Sequence, residues 1–226
     1  MCGRYATTRE SVDLAELFEA LDESEGGVAV DYNVAPTDPV PIVRVADGAR
    51  VLRVARWGLV PHWAPDARGA ARMINARAET VITSTAYGPA FAHRRCLIPA
   101  DGWYEWTKGP DGRQAHYLTS AGGDVLCFAG LYARWQDLLT CTILTTAAAG
   151  PLVAVHHRMP LLLPRSRWAR WLDGPAGADL LEVPDESFLE RIEIRPVGPA
   201  VGDVRNDGPG LVTPVRAPDE PPLTLF

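Results

Sequence analysis

The chain of 226 residues is 47% hydrophobic and 22% charged, an ordinary globular composition with enough apolar residues to bury a sizeable core. A formal net charge of −6 argues against a protein that wraps nucleic acid through bulk positive charge, and no apolar run approaches the ~18 residues of a membrane-spanning helix. The first residues lead into polar sequence rather than the apolar core of a signal peptide, so a cytoplasmic protein with no membrane partner is the expectation, and a monomer is taken as the default.

Thr7-x-x-Glu10 reads as a capping box, and Leu14, Leu17, Phe18 and Leu21 follow the i, i+3, i+4, i+7 spacing of one helix face, which predicts a helix over 8–21. Short β-rich runs separated by Gly and Pro predict strands over 40–45, 51–56, 116–119, 125–131 and 139–145. Helices are predicted over 165–172, entered through Pro164, and over 185–192. Several strands with few helices, not in strict βαβ alternation, favour an α+β fold with a largely antiparallel, barrel-like sheet. One domain over 1–226 is expected, with the stretch from Arg216 to Phe226, opened by three prolines in seven residues, as a loose tail.

Charge is unevenly spread. Residues 50–95 carry eight arginines against Asp66 and Glu79, while residues 173–226 carry eleven acids against four arginines, so a phosphate-binding face on an acidic protein is possible. The four cysteines are far apart and form no C-x-x-C pair, which suggests neither zinc nor a disulfide framework, and no cofactor is implied. Cys96, Cys127 and Cys141 lie in apolar stretches where a free cysteine acts as a small buried hydrophobe.

Cys2 is different. Removal of Met1, expected of a methionine aminopeptidase when the second residue is small, would leave an amine and a thiol on one carbon. An α-amine has a pKa of about 7.7 to 8.0, so it is partly neutral near pH 7 and can attack an aldehyde. The resulting imine can be captured by the adjacent thiol as a five-membered thiazolidine, a closure open only to a terminal cysteine. Lys108 is the only lysine, so the usual source of an imine-forming amine is nearly absent.

Polar residues concentrate in segments dense in Trp, Pro, Arg and Asn: Tyr32-Asn33-Val34-Ala35-Pro36, Arg56-Trp57-Gly58-Leu59-Val60-Pro61-His62-Trp63, Asn75-Ala76-Arg77-Ala78-Glu79, Arg95-Cys96-Leu97-Ile98-Pro99-Ala100-Asp101-Gly102-Trp103-Tyr104-Glu105-Trp106 and His156-His157-Arg158-Met159-Pro160. Together with Met1-Cys2-Gly3-Arg4-Tyr5, these segments are similar in order and spacing to the motifs of the SOS response-associated peptidase (SRAP) family, over residues 1–207.

The resemblance implies a single SRAP domain that cross-links covalently to abasic sites in single-stranded DNA, shielding the lesion, with some lyase activity and self-reversal. Cys2 matches the cross-linking nucleophile, Asn75 a residue that orients it, Glu105 the acid/base, and His156 the histidine that helps open the sugar; His157 falls on the variable position. DNA contact is implied for Arg4, Asn33, Arg77, Arg158 and Thr146, and stacking or wedging for Pro36, Trp57, Pro61, Trp63 and Trp103. Trp106, Trp168 and Trp171 are read as core. Ala149 and Asp203 stand where the family often carries Asn, and an acid at 203 would repel phosphate. The rival readings are an autoproteolytic peptidase with Cys2 as an N-terminal nucleophile, and a non-covalent binder of single-stranded or modified DNA.

Overall fold

The computed structural model describes residues 2–109 and 112–215, and the tail expected from Arg216 lies outside them. The chain begins with β1 (Tyr5–Thr7), α1 (Ser11–Phe18), β2 (Leu21–Asp22), β3 (Asp31–Val34), β4 (Pro39–Ala46) and β5 (Ala49–Trp57). After a long loop come β6 (Asn75–Arg77), α2 (Gly88–His93), β7 (Arg95–Ala100), β8 (Gly102–Gly109), β9 (Gly112–Ser120), β10 (Leu126–Trp135) and β11 (Leu138–Ala147). Then follow β12 (Arg158–Pro160), α3 (Trp168–Asp173), α4 (Glu186–Leu189) and β13 (Ile192–Val197), with short 3-10 turns between them.

Two tight hairpins organise the larger sheet. Asp47 and Gly48 both take positive φ between the paired Ala46 and Ala49, the geometry that matches the twist of the flanking strands of β4 and β5. Gln136, also at positive φ, turns β10 into β11. The strands β11, β10, β7, β4 and β5 pair antiparallel in that order, and β5 returns to β11 in parallel at Thr140 and Cys141, closing a five-stranded ring. Near this closure β6 runs parallel to β11 at 143–145, and β12 pairs antiparallel with it at 145–147. A second, wholly antiparallel sheet has the order β13-β9-β8-β1-β3. The α+β class and the barrel-like, largely antiparallel core match the expectation from sequence.

Alternation along the ring strands serves two cores. Ile42, Ile98, Phe128 and Ile143 join Tyr5, Trp103 and Leu118 of the second sheet, while Val43, Leu97, Ala129 and Leu144 join Leu14, Phe18, Trp168 and Trp171 of the helices. Tyr5 stands edge-on to Trp57 and Phe128, with ring centroids at 5.2 and 5.8 Å.

The first helix is shorter than predicted at both ends. Thr7 belongs to β1 and Glu10 makes no side-chain cap, so the capping box is not formed; Thr8 instead donates through its backbone and hydroxyl to Asp101. Glu19 at φ 52° ends the helix, and Leu21 is 61% exposed on β2. The helix predicted over 185–192 shrinks to α4, capped by Asp185 on the Phe188 N–H at 2.8 Å, because Ile192 already pairs with Ser120 in β13. Trp168 and Trp171 are core as predicted, whereas Trp106 is half-buried beneath Arg113.

Arg95 is buried and donates to the carbonyls of Trp171 at 2.5 Å, Phe91 at 2.7 Å and Gly174, tying the C-terminal ends of α2 and α3 to β7. Replacing it by Leu strands those carbonyls in a dry site, so Arg95→Leu should lower the unfolding free energy in urea by about 3 kcal/mol. A loss below about 1 kcal/mol would show the carbonyls find water instead.

Candidate active site

Cys2 is wholly buried in the core between the two sheets, in one cluster with Trp57, Trp103, Phe128, Ile143 and Met159. It gets there because β1 is an interior strand: Tyr5 pairs with Val34 on one side and with Trp103 on the other. Asn75, the first residue of β6 and in register with Ile143, donates from Nδ2 to the Cys2 carbonyl at 2.8 Å. Its Oδ1 is buried without a partner among the described residues, an acceptor beside the Cys2 backbone. Tyr87 supports Asn75 from behind, its hydroxyl donating to the Asn75 carbonyl at 3.2 Å.

Glu105 is 3% exposed on β8, on the same face as Trp103 and directly opposite His116 of β9. Burial pushes its carboxyl above the ordinary range, so the protonated acid persists to higher pH than in an exposed glutamate. The Cys2 thiol is pushed well above its ordinary value, first by burial and then by the Glu105 carboxylate, which puts the two groups in electrostatic reach. Glu105 and His157 sense each other's charge as well.

His156 and His157 lie between a 3-10 turn at 150–154 and β12, their rings tilted 32° with centroids 4.2 Å apart. His156 Nδ1 accepts the Arg158 N–H at 3.0 Å and lies 3.1 Å from the Arg158 carbonyl, so the neutral and charged imidazole each find a partner at one atom. Both rings titrate below the ordinary value, His156 chiefly through burial and His157 chiefly through the charge on His156. Cys2, Asn75, Glu105 and the histidine pair are thus drawn from four distant segments into one region.

The residues expected to touch DNA divide. Arg77 is exposed two positions beyond Asn75 and belongs to no ion pair among the described residues. Trp63 is 60% exposed, on a loop whose base is tied by Leu59 N–H to Met73 O and by Trp135 Nε1 to Ala64 O at 2.8 Å. Gly58 starts that loop at φ 131°, where a Cβ would meet the Ala70 carbonyl at 2.5 Å, so only glycine fits. Pro36 and Pro61 are partly exposed.

Others are buried or already engaged within the chain. Trp57 and Trp103 are 0% and 1% exposed and cannot stack on a base as they stand; Trp57 Nε1 donates to the Ile74 carbonyl instead. Asn33 is buried, accepting from Arg4 at 2.6 Å and donating to the carbonyls of Asp203 and Asn206, so its amide holds a loop. Arg4 is further engaged with the Val201 carbonyl, Arg158 with Glu79, and Thr146 is buried in the pairing with Met159. Asp203 forms an ion pair with Arg205. Tyr87 and Glu79 were given no role by sequence reasoning; Glu79 sits inside a quoted motif, whereas Tyr87 carries no signal beyond the Gly-Pro that opens α2.

The family model described as "SOS response associated peptidase (SRAP)" matches residues 1–204. The abasic site processing protein YoqW of Bacillus subtilis (strain 168) is 33% identical over 227 residues, covering 94% of this chain and 99% of that protein. The abasic site processing protein YedK of Escherichia coli (strain K12) is 31% identical over 228 residues, covering 95% and 100%. A crystal structure of a protein from Bacteroides thetaiotaomicron superposes with a TM-score of 0.83 over 95% of this chain and 100% of that one, at 22% identity, and so shares the fold.

The raised carboxyl of Glu105 has a consequence for stability. An unfolded Glu titrates at about 4.3, and a folded value above that makes stability full below this pH and progressively lost as pH rises through the folded value. Glu105→Gln carries no such penalty, so the melting temperature of the variant should gain on the native protein as pH is raised from 4 to 7. A native protein that gains on the variant over this range would show that its partners over-compensate burial.

Proposed function

The chain belongs to the SOS response associated peptidase family, and from that premise we propose that it processes abasic sites in single-stranded DNA by bonding covalently to the opened sugar through Cys2. The observation that carries the reading is the setting of Cys2: a buried thiol, an amide on its carbonyl, and a buried carboxyl of raised pKa within electrostatic reach.

After Met1 removal the Cys2 amine attacks the C1 aldehyde of the ring-opened sugar. Glu105, as the protonated acid, gives its proton to the carbinolamine hydroxyl, which departs as water; the nitrogen then returns its proton to the Glu105 carboxylate and leaves the imine. Burial keeps the Cys2 thiol neutral, so it is a poor first nucleophile and the amine acts first. The thiol then adds across the C=N bond, sulfur to carbon and its proton to nitrogen, closing the thiazolidine. His156, with a partner in both protonation states, is suited to move the proton that opens the closed sugar. An imine left unclosed allows β-elimination, which gives abasic-site lyase activity, and Glu105 run in reverse releases the adduct. Arg77 and Trp63 supply the exposed cation and aromatic face for the flanking strand. The rival peptidase reading needs a reactive thiolate, which burial opposes.

Cys2→Ala with Met1 removed should form an imine trapped by borohydride yet leave no adduct that survives heating without reductant. A bulky residue inserted between Met1 and Cys2, which blocks processing, should abolish both; native-level cross-linking by that variant would sink the mechanism. Binding of an intact oligonucleotide reads the flanking contacts. Arg77→Ala should flatten its salt dependence by about one unit of slope, and Trp63→Ala should weaken it by about 1–3 kcal/mol, an unchanged slope or affinity removing that residue from the interface.

A further inference from the structure

We propose that residues 216–226 dock onto the surface of their own chain, adding a strand to the free edge of β13 and seating their apolar end in the groove beside Trp168. This surface takes no part in the covalent reading above. β13 is the last strand of its sheet, with β9 on one side only. Backbone groups alternate between the two edges of a strand. The Arg191 carbonyl, which accepts the Ala121 N–H, faces β9, and the Pro196 carbonyl, which accepts the Val215 N–H at 2.8 Å, faces the free edge. Ile192 and Ile194 share the parity of Pro196, so their N–H and C=O groups face that edge too, where neither has a backbone partner among the described residues. The edge already receives the segment that leads into 216–226, because Pro214 bridges Val197 antiparallel.

That bridge fixes a direction and a register. Continued antiparallel, it sets Ala217 opposite Ile194 and Asp219 opposite Ile192, running toward Arg191. The prolines agree with this register. Pro214 and Pro218 fall on positions whose nitrogen faces away from β13, where a missing N–H costs no ladder bond, and Pro221, on the other parity, lies past the start of β13 at Ile192. Seven residues remain beyond Asp219, a reach of ~23 Å at ~3.3 Å per residue. The start of β13 borders a groove of about 280 Å³ lined by Ile192, Phe188, Trp168 and Leu163. That volume is below the ~300–1,000 Å³ of a small-molecule site and suits one or two side chains. Leu223, Leu225 and Phe226 are the apolar residues available to fill it. Charge matches as well: the groove is rimmed by Arg165 and Arg191 against Asp124. Arg165 is engaged by Glu19, whereas Arg191 lies over the Phe188 ring at 5.2 Å and belongs to no ion pair among the described residues. The register delivers Asp219 and Glu220 beside it.

Amide hydrogen exchange on the full chain and on a chain ending at Val215 tests the docking without DNA. The Ile192 and Ile194 amides should exchange at least ~10-fold more slowly in the full chain, while those of Glu193 and Arg195, which face β9, should differ little. The second pair separates an added strand from a general change in stability. Leu225→Asp combined with Phe226→Asp should lose most of the protection. Arg191→Glu should lose part of it, and adding Asp219→Lys and Glu220→Lys to that variant should restore it. In the full chain the Phe226 ring should show nuclear Overhauser contacts to Trp168 or Leu163. Equal exchange of Ile192 and Ile194 in the two chains, or protection gained equally at Glu193 and Arg195, would overturn the added strand. Protection that grows with protein concentration alongside a dimer in sedimentation would overturn it too, since the occupant would then be the tail of a second copy.

Discussion

A residue one peptide bond from the start of a chain ordinarily frays, because nothing on its N-terminal side holds it. Cys2 is wholly buried, and the rest of the site depends on that constraint. It is met by making β1 an interior strand, with β3 on one edge and β8 on the other, so that Tyr5 can drive its ring against Trp57 and Phe128. Arg4 continues the anchorage, its carbonyl accepting the Tyr104 N–H while its guanidinium grips Asn33. Asn75 then closes on the Cys2 carbonyl from the other sheet. Residues that carry motif signals in the sequence are here the means of holding a terminus still.

Burial of that terminus sets the chemistry around it. The same dry environment raises the Cys2 thiol and the Glu105 carboxyl and lowers His156, so each group is biased toward its neutral form. A neutral carboxyl can donate a proton and a neutral imidazole can accept one, which is the pairing that an aldehyde-to-imine conversion requires. Burial also disfavours the thiolate and leaves initiation to the nitrogen. Under the covalent mechanism proposed above, geometry and titration together favour one order of events, amine before thiol.

Much of the fold was legible because strand alternation and turn residues are local signals. The runs at 40–45, 51–56 and 139–145 lie within β4, β5 and β11, and the α+β class followed from them. What local signals could not supply was context. Thr7 and Glu10 have the spacing of a capping box, but pairing of Thr7 with Asp31 across the sheet outweighs it. Ring closure by β5 on β11 joins residues more than eighty apart, and no periodicity announces it. For the candidate site, the chemistry of a terminal cysteine pointed to Cys2, but its burial carried no sequence signal. Tryptophans in polar, proline-rich segments read alike whether they face solvent, as Trp63 does, or fill the core, as Trp57 and Trp103 do.

The arginines illustrate the same limit, and they bear on how an acidic protein can meet DNA. A count along the sequence finds a basic middle segment, but the structure assigns much of that charge to internal duties: Arg95 holds four helix-end carbonyls, Arg50 reaches the Phe18 carbonyl, and Arg68 pairs with Asp66. Cations engaged in this way neutralise no phosphate, so the electrostatic footprint is smaller than the count suggests. Arg77 beside Asn75 and Trp63 on an anchored loop remain exposed, and under the proposed reading they are the cation and the aromatic face left for DNA. Under the covalent reading proposed above, selectivity on that footing would come from the reaction with an aldehyde, which intact strands do not offer. Tight non-specific binding would work against it, by holding the protein on intact strands that offer no aldehyde, and a net charge of −6 is consistent with that requirement.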